Sequence, residues 1–456
     1  MDTTWLVTNL FAALLLPPLN MLLLAGLGFW LTRRRPRLGR RLMLAAFAGL
    51  WLLATPWVGE RLLAPFMAPF QPIAGNEAEA IVILGGGYAG IMAAQRLARV
   101  KNASVTLINN RSTFVERIRL HQNAANRYAR TLAIPSLIDT RRVRFIEGHV
   151  TALNADGRGV TYTANGQTQT LGYDSLIYAL GSGVDRSHIA GNRVFTFSPG
   201  EAQTMRERLA ALPAGSRVMV IGGGLTGIEG ATEFAEAYPA LKVALVTGST
   251  FAEQFSAAGA AHLIATFKRL GIEIIEKTLV RRVDEAGIHT DTGVMTYDLA
   301  LWAGGFSVPS LAADAGLVVN EGGQIVVDAM LRSVSHPEIY AAGDAAFAAQ
   351  AGVPLRMACA TAMPMGGHVA NNLKARLNGS AESAFPYRYY FQCISLGRHD
   401  GLIQIVNADD TPAERVFTGR AAVLFKEMVC QLTIHVLRLE RRFPGIYRVP
   451  DAPASL

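Results

Sequence analysis

Two long uncharged runs open the chain, Trp5 to Leu31 with 27 positions and Leu42 to Val58 with 17, and between them six arginines (Arg33, Arg34, Arg35, Arg37, Arg40 and Arg41) fall within nine residues. As a helix the first run spans about 40 Å, more than the ~30 Å hydrocarbon core of a bilayer, so it predicts a transmembrane crossing, kinked at Pro17 and Pro18. A cleaved signal peptide fits less well, because the run is too long and no basic segment precedes it. The second run is at the lower length limit for a crossing and carries Trp51 and Trp57 toward one end, as an interfacial belt would. Two crossings make the arginine loop cytoplasmic and put everything after Glu60 outside the cytoplasm. A re-entrant or interfacial second run leaves the remainder in the cytosol. Either way the expected location is a cell inner membrane, in contact with lipid.

From Ala80 the pattern changes. The apolar run Ala80 to Leu84 enters Gly85-Gly86-Gly87-Tyr88-Ala89-Gly90, and helical spacing follows through Ala93, Ala94, Leu97 and Ala98. This predicts strand, turn and helix, with Gly85 making the tight turn, Gly87 letting backbone approach a pyrophosphate and Gly90 letting helix pack on strand. A second copy begins 137 residues later, where Val218 to Ile221 runs into Gly222, Gly224 and Gly227, then Ile228, Glu229 and a helix through Ala237. Two such loops imply two dinucleotides. The ribose-binding acid expected about 20 residues on is missing from both: Ser104 to Ile108 closes in Asn109, and Lys242 to Val246 closes in Thr247-Gly248. The second pair of residues supplies neither an acid for NAD nor an arginine for NADP, which leaves NADH or NADPH open.

A chain of 456 residues has room for about three folded units, and 50% hydrophobic against 17% charged residues excludes a disordered protein. The net charge of +8 owes much to the arginine cluster, and no aromatic-interleaved basic stripe suggests nucleic acid. Cys359, Cys393 and Cys430 lie more than thirty residues apart, matching neither a zinc site nor a disulfide scaffold, and with no earlier cysteine the chain has no redox-active Cys-x-x-x-x-Cys pair.

On the strength of these loops, residues 80 to 435 resemble the pyridine-nucleotide disulfide reductase-like flavoproteins, and among them the type II NADH:quinone oxidoreductases and the apoptosis-inducing-factor-like oxidoreductases. The likeness extends to Tyr173 through Ala179, Gly181 and Ser182, to Tyr297 through Gly304 and Gly305, and to Ile339 through Gly343 and Asp344. It implies an α/β chain with two Rossmann-like domains in a glutathione-reductase-like arrangement, preceded by one or two transmembrane helices. The expected parts are a membrane anchor (1–76), an FAD-binding domain (77–198 and 305–378), an NAD(P)-binding domain (199–304) and a C-terminal interface or membrane-docking region (379–456). It further implies that Asp344 holds the ribityl and phosphate region of FAD, that Val150 offers a backbone contact to adenine, and that Arg117 meets the pyrophosphate or flavin. Arg119 and His121 read equally well as solvated loop residues. Residues 1 to about 86 resemble the SanA and ElyC-type envelope proteins, which suggests a fused anchor.

The implied chemistry is hydride transfer from NAD(P)H to FAD, then electrons to a quinone or other small acceptor, with Glu229 as the catalytic side chain. A first-turn helix glutamate favoured by the helix dipole is the plainer reading of Glu229. Thr361 begins the helix expected at the flavin's pyrimidine edge. The two glutamines that this helix carries in type II enzymes are replaced in the stretch Cys359 to Gly366, so a non-turnover redox sensor and a non-enzymatic envelope protein stand as alternatives. The apolar, basic-ended run Ala421 to Arg442 resembles a membrane-docking tail, and a core-packed helix fits it nearly as well.

Overall fold

The computed structural model describes residues 19–33, 35–54, 78–126, 130–350 and 352–448. It divides into two units, Met1–Gly75 and Asn76–Leu456. In the first, helix α1 (Leu19–Leu31) and helix α2 (Pro36–Ala54) form a hairpin, with Pro36 at the first helical position, where its missing N–H costs nothing. The helices touch where side chains are absent: a Cβ built on Gly39 would lie 2.5 Å from the Gly28 carbonyl oxygen. The turn is shorter than the expected loop, because Arg37, Arg40 and Arg41 belong to α2. Among the described residues no helix is long and apolar enough to cross a membrane. Residues 5–18 and 55–58 of the predicted runs, with Pro17, Pro18 and Trp57, lie outside the described residues.

The second unit contains two parallel sheets. Strands β1 (Glu79–Leu84), β2 (Ala103–Asn109), β3 (Val143–Glu147) and β4 (Ser175–Tyr178) belong to the first, with helix α3 (Tyr88–Leu97) following β1. Strands β5 (Val194–Thr196), β6 (Arg217–Ile221), β7 (Lys242–Val246), β8 (Glu273–Ile275) and β9 (Leu299–Trp302) form the second, with helix α4 (Leu225–Ala237) after β6. Strand β10 (Ile339–Ala341) returns to the first sheet. The orders are β10-β4-β1-β2-β3 and β5-β9-β6-β7-β8, so each glycine loop leaves an inner strand. Ile81 to Leu84 and Val218 to Ile221 are buried along their length, as unbroken apolar strands covered on both faces must be. Val194–Thr196 pairs with β9 and so belongs to the second sheet, whereas the sequence boundary at 198 puts it with the first. Its isolated hydrophobic residues carry no mark of which sheet they join.

Helix α5 (Cys359–Leu377) crosses α3 at Gly366, where a built Cβ would fall 2.2 Å from the Ala89 carbonyl oxygen. An antiparallel sheet of β11 (Phe391–Ser395), β12 (Gly401–Val406) and β13 (Pro412–Thr418) then leads into helix α6 (Gly419–Arg442). One face of α6 is buried through Ala422, Val423, Lys426, Cys430, Ile434, Leu437 and Glu440. The other exposes Leu424, Met428, Leu432 and Leu439, so the run is both a packed helix and one with an apolar outer row. Its end is held by the buried pair Arg96 Nε to Glu440 Oε1 (2.7 Å), while Arg96 Nη1 donates to the Gly367 carbonyl (3.0 Å).

The α3–α5 crossing has no room for side-chain atoms at Gly366. Gly366→Val is expected to destabilise the chain by about 2–3 kcal/mol, as overpacking of a close contact does, and urea unfolding of the two proteins measures it.

Candidate functional site

The two glycine loops have one geometry. Gly85 and Gly222 take φ of +101° and +120°, a region that side chains disfavour, and so turn the chain sharply from strand to helix. A Cβ on Gly90 would lie 1.9 Å from the Gly85 carbonyl oxygen, and one on Gly227 equally 1.9 Å from that of Gly222. By contrast, a Cβ on Gly87 or Gly224 would meet nothing within 4 Å. These middle glycines are the N-caps of α3 and α4, with no side chain capping the first-turn N–H groups. Open space, donors without a side-chain cap and the positive dipole end therefore coincide twice, which is what a pyrophosphate requires.

The strand ends opposite the loops differ from the acidic pattern as the sequence indicates. Asn109 closes β2 and is engaged on both sides of its amide: Gly86 N–H donates to Oδ1 (2.8 Å), and Nδ2 donates to the Arg111 carbonyl (2.8 Å). It ties the glycine loop to the strand. Thr247 has the same place after β7, its Oγ1 2.6 Å from a Cβ built on Gly223.

Around the first cradle Arg117, Ser182 and Asp344 come together, while Val150 and Thr361 have separate contacts. Ala179 N–H donates to the Leu84 carbonyl (2.8 Å), which fixes the turn through Gly181 beside β1. Arg117 Nη1 donates to the Ser182 carbonyl (2.7 Å) and lies 3.5 Å from Asp344 Oδ2, and Ser182 Oγ donates to that same oxygen (2.7 Å). Gly343 and Asp344 form a 3₁₀ turn directly after β10, and Gln324 Nε2 holds the Asp344 carbonyl (2.9 Å). Val150 lies in the strand His149–Asn154, half-buried and opposite Tyr162. Thr361 is buried at the start of α5, but its hydroxyl turns back on the Arg356 (2.8 Å) and Ala358 (2.9 Å) carbonyls. Around the second cradle, the Ala303-Gly304 peptide closes under Gly222, where a built Cβ would lie 3.1 Å from the Gly304 nitrogen.

Glu229, in the first turns of α4, has partners that the sequence does not connect to it. Lys426 of α6 forms an ion pair with Oε1, Ser395 N–H donates to the same oxygen (3.1 Å), and His121 Nδ1 lies 3.6 Å from Oε2. His121 Nε2 is 3.3 Å from Ser395 Oγ, which closes the group. All four residues are buried. Burial pushes Lys426 down to about 8, and burial with the cations Lys426, Arg398 and Arg119 drives His121 well below its ordinary value, leaving a neutral imidazole. Arg119 is also buried, clamped on Glu427 through both guanidinium ends (2.8 and 2.6 Å). The solvated-loop reading of Arg119 and His121 is thus corrected: α6 and β11 cover them, and both elements come some 270 or more residues later. Lys426 had one legible sign, a lone cation on the apolar helix face Ala422, Val423, Cys430; Ser395 and Gln324 had none.

The profile of the family described as pyridine nucleotide-disulphide oxidoreductase matches residues 79–366. The chain is 27% identical over 387 residues to the type II NADH:quinone oxidoreductase of Staphylococcus haemolyticus (strain JCSC1435), covering 76% of this chain and 93% of that protein. It is 26% identical over 353 residues to ferroptosis suppressor protein 1 of Xenopus tropicalis, covering 72% and 89%. Among solved structures, sulfide:quinone oxidoreductase from Aquifex aeolicus superposes with a TM-score of 0.68 at 17% identity, over 83% of this chain and 100% of that one. NDH2 from Plasmodium falciparum in complex with NADH gives 0.65 at 16% identity, over 81% and 99%.

Folded Lys426 releases its proton near pH 8, whereas an unfolded lysine keeps it to about 10.4. Between these values the folded state binds fewer protons, so the burial penalty is fully present below about pH 8 and is relieved as pH rises toward 10.4. Lys426→Met is expected to flatten that rise in stability. Urea unfolding at intervals from about pH 7 to about pH 10 measures it, and an unchanged slope would remove Lys426 as its source.

Proposed function

The chain belongs to the pyridine nucleotide-disulphide oxidoreductase family, and on that premise we propose that it oxidises NAD(P)H through FAD and passes the electrons to a quinone at a lipid surface. FAD, when bound, would supply the redox chemistry, accepting a hydride from the pyridine nucleotide and passing two electrons to the acceptor. Gly85, Gly87 and Gly90, with Asn109, Arg117, Val150, Ala179, Gly181, Gly343, Asp344 and Thr361, would hold FAD. Gly222, Gly224, Gly227 and Gly304 would hold the nucleotide. The loop geometry fits both, since of the glycines in each loop the middle one has open space where a Cβ would stand, next to uncapped N–H groups.

No cysteine pair stands on the helix after the first glycine loop, where such a relay would sit, and Cys359, Cys393 and Cys430 are free thiols, so the proposed acceptor is external. Reduction of a quinone to a quinol takes up two electrons and two protons, one of which arrives as the hydride. The other must enter through the protein or from water. The observation that carries the quinone reading is the buried Glu229–Lys426 pair, joined by Ser395 and a neutral His121. Burial brings Lys426 Nζ down to about 8, where it can give up and regain a proton, and Glu229 Oε1 is its ion-pair partner. The glutamines usual on α5 are replaced by Ala360 and Pro364, which leaves this group to handle the acceptor's proton.

A lipid surface is supported by the outer row Leu424, Met428, Leu432 and Leu439, continued by Phe443 and Ile446, with Arg438, Arg441 and Arg442 at the same end. In the N-terminal hairpin Phe29, Trp30, Leu44 and Phe47 are likewise exposed beside its arginines. An acyl-chain interior accepts such rows and water does not.

The purified protein is expected to be yellow, to bleach anaerobically with NADH, and to turn over repeatedly with a short-chain ubiquinone. Glu229→Gln should keep the bleaching step while slowing quinone turnover about 100-fold, in the range that one proton-transfer group contributes. Bleaching without repeated turnover in the native chain would mark a redox sensor, and colourless protein would end the FAD reading.

A further inference from the structure

In a dinucleotide fold the residue that closes the second strand meets the adenosine ribose. A carboxylate there accepts a hydrogen bond from the 2′-hydroxyl and repels a 2′-phosphate. Strand β7 closes instead in Thr247, Gly248, Ser249 and Thr250, three hydroxyls and a glycine. That this is the equivalent position follows from its packing: Thr247 abuts Gly223 as Asn109 abuts Gly86, each within about 3 Å of a Cβ built on the glycine.

A cation lies along the same edge. Lys277 N–H donates to the Ser249 carbonyl (3.1 Å) and Thr278 N–H to that of Thr247 (3.0 Å), so residues 277–278 run directly beside 247–249. Lys277 is exposed, and among the described residues its ammonium has no ion pair. The nearby acids are engaged by backbone: Glu276 Oε1 accepts from Phe251 N–H (2.5 Å) and Asp291 Oδ1 from Leu279 N–H (3.1 Å). The edge therefore offers a lysine and hydroxyls held only by long contacts (Ser249 Oγ to the Thr250 carbonyl, 3.4 Å, and to Thr247 Oγ1, 3.5 Å), with the Glu276 carboxylate tied to Phe251 N–H and no acid at the strand-closing position itself.

We infer that this site takes the 2′-phosphorylated dinucleotide, NADPH, at least as readily as NADH, with Lys277 and the Ser249 hydroxyl as the phosphate's partners. The inference rests on reading the second cradle as the pyridine nucleotide site. A 2′-phosphate carries a charge of about −1.5 to −2, and its bonds to an ammonium and a hydroxyl are charge-assisted. NADH lacks that contact and also lacks the carboxylate that would favour it.

The test titrates the FAD-loaded full chain with ADP-ribose and 2′-phospho-ADP-ribose by calorimetry. Neither probe carries a nicotinamide, so binding is read apart from turnover. The phosphorylated probe is expected to bind at least as tightly and to weaken more steeply with salt. Lys277→Ala should lower the affinity ratio of phosphorylated to plain probe about tenfold, and Ser249→Glu should reverse the preference by tenfold or more, as gain or loss of one charge-assisted contact does. A native preference for ADP-ribose, or an unchanged ratio in Lys277→Ala, would overturn the inference alone. Binding of neither probe would overturn it together with the reading beneath it.

Discussion

A contact too close for a methyl group sets the geometry of both nucleotide cradles. The helices after β1 and β6 begin so near their strands that Gly90 and Gly227 press on the carbonyls of Gly85 and Gly222, at a separation no Cβ tolerates. That approach sets the helix N-termini beside the open space at Gly87 and Gly224, where phosphate charge would be stabilised by donors and dipole together. The third such contact, Gly366 on Ala89, brings α5 against α3 and with it the turn that carries Asp344. Any side chain at these points would move the cradle before it changed the chemistry.

The C-terminal elements complete the second half of the site by covering it. Asp400, after β11, accepts from His262 Nε2 (3.1 Å), Thr266 Oγ1 (3.0 Å) and Arg269 Nη2 (2.8 Å), all on the helix Ala257–Arg269. Buried Gln404 accepts from Ser256 N–H (3.1 Å) and Oγ (2.8 Å) at the start of that helix. Arg96 and Glu440 hold the far end of α6. With its ends fixed, α6 presents Lys426 to Glu229 inside a region from which water is excluded. A buried ion pair of this kind adds little net stability, because desolvation offsets attraction. Burial in that pair is what lowers the proton affinity of Lys426, to a pKa of about 8.

The polar groups of the first cradle show how one carboxylate can be shared. Asp344 receives Ser182 Oγ and lies beside Arg117, and its backbone carbonyl is held by Gln324, so its direction is set from three sides. Arg117, Ser182 and Asp344 come from three separate segments. Their meeting follows from β4 and β10 being neighbours in the first sheet.

The local part of this protein was legible in its sequence. Strand, glycine turn and helix are set within about twenty residues by apolar runs and by the one residue type that fits a left-handed turn, so β1, β6, both loops and the missing ribose acids could be read directly. Helix α6 was legible from its periodicity. Sheet membership of a three-residue strand such as Val194–Thr196 was not, since so short a run says nothing of its neighbour. The burial of Arg119 and His121, and the joining of Glu229 to Lys426 and Ser395, depended on contacts across 160 to 310 residues. Polar residues look alike in sequence whether water or another part of the chain surrounds them, and only the tertiary structure decided which.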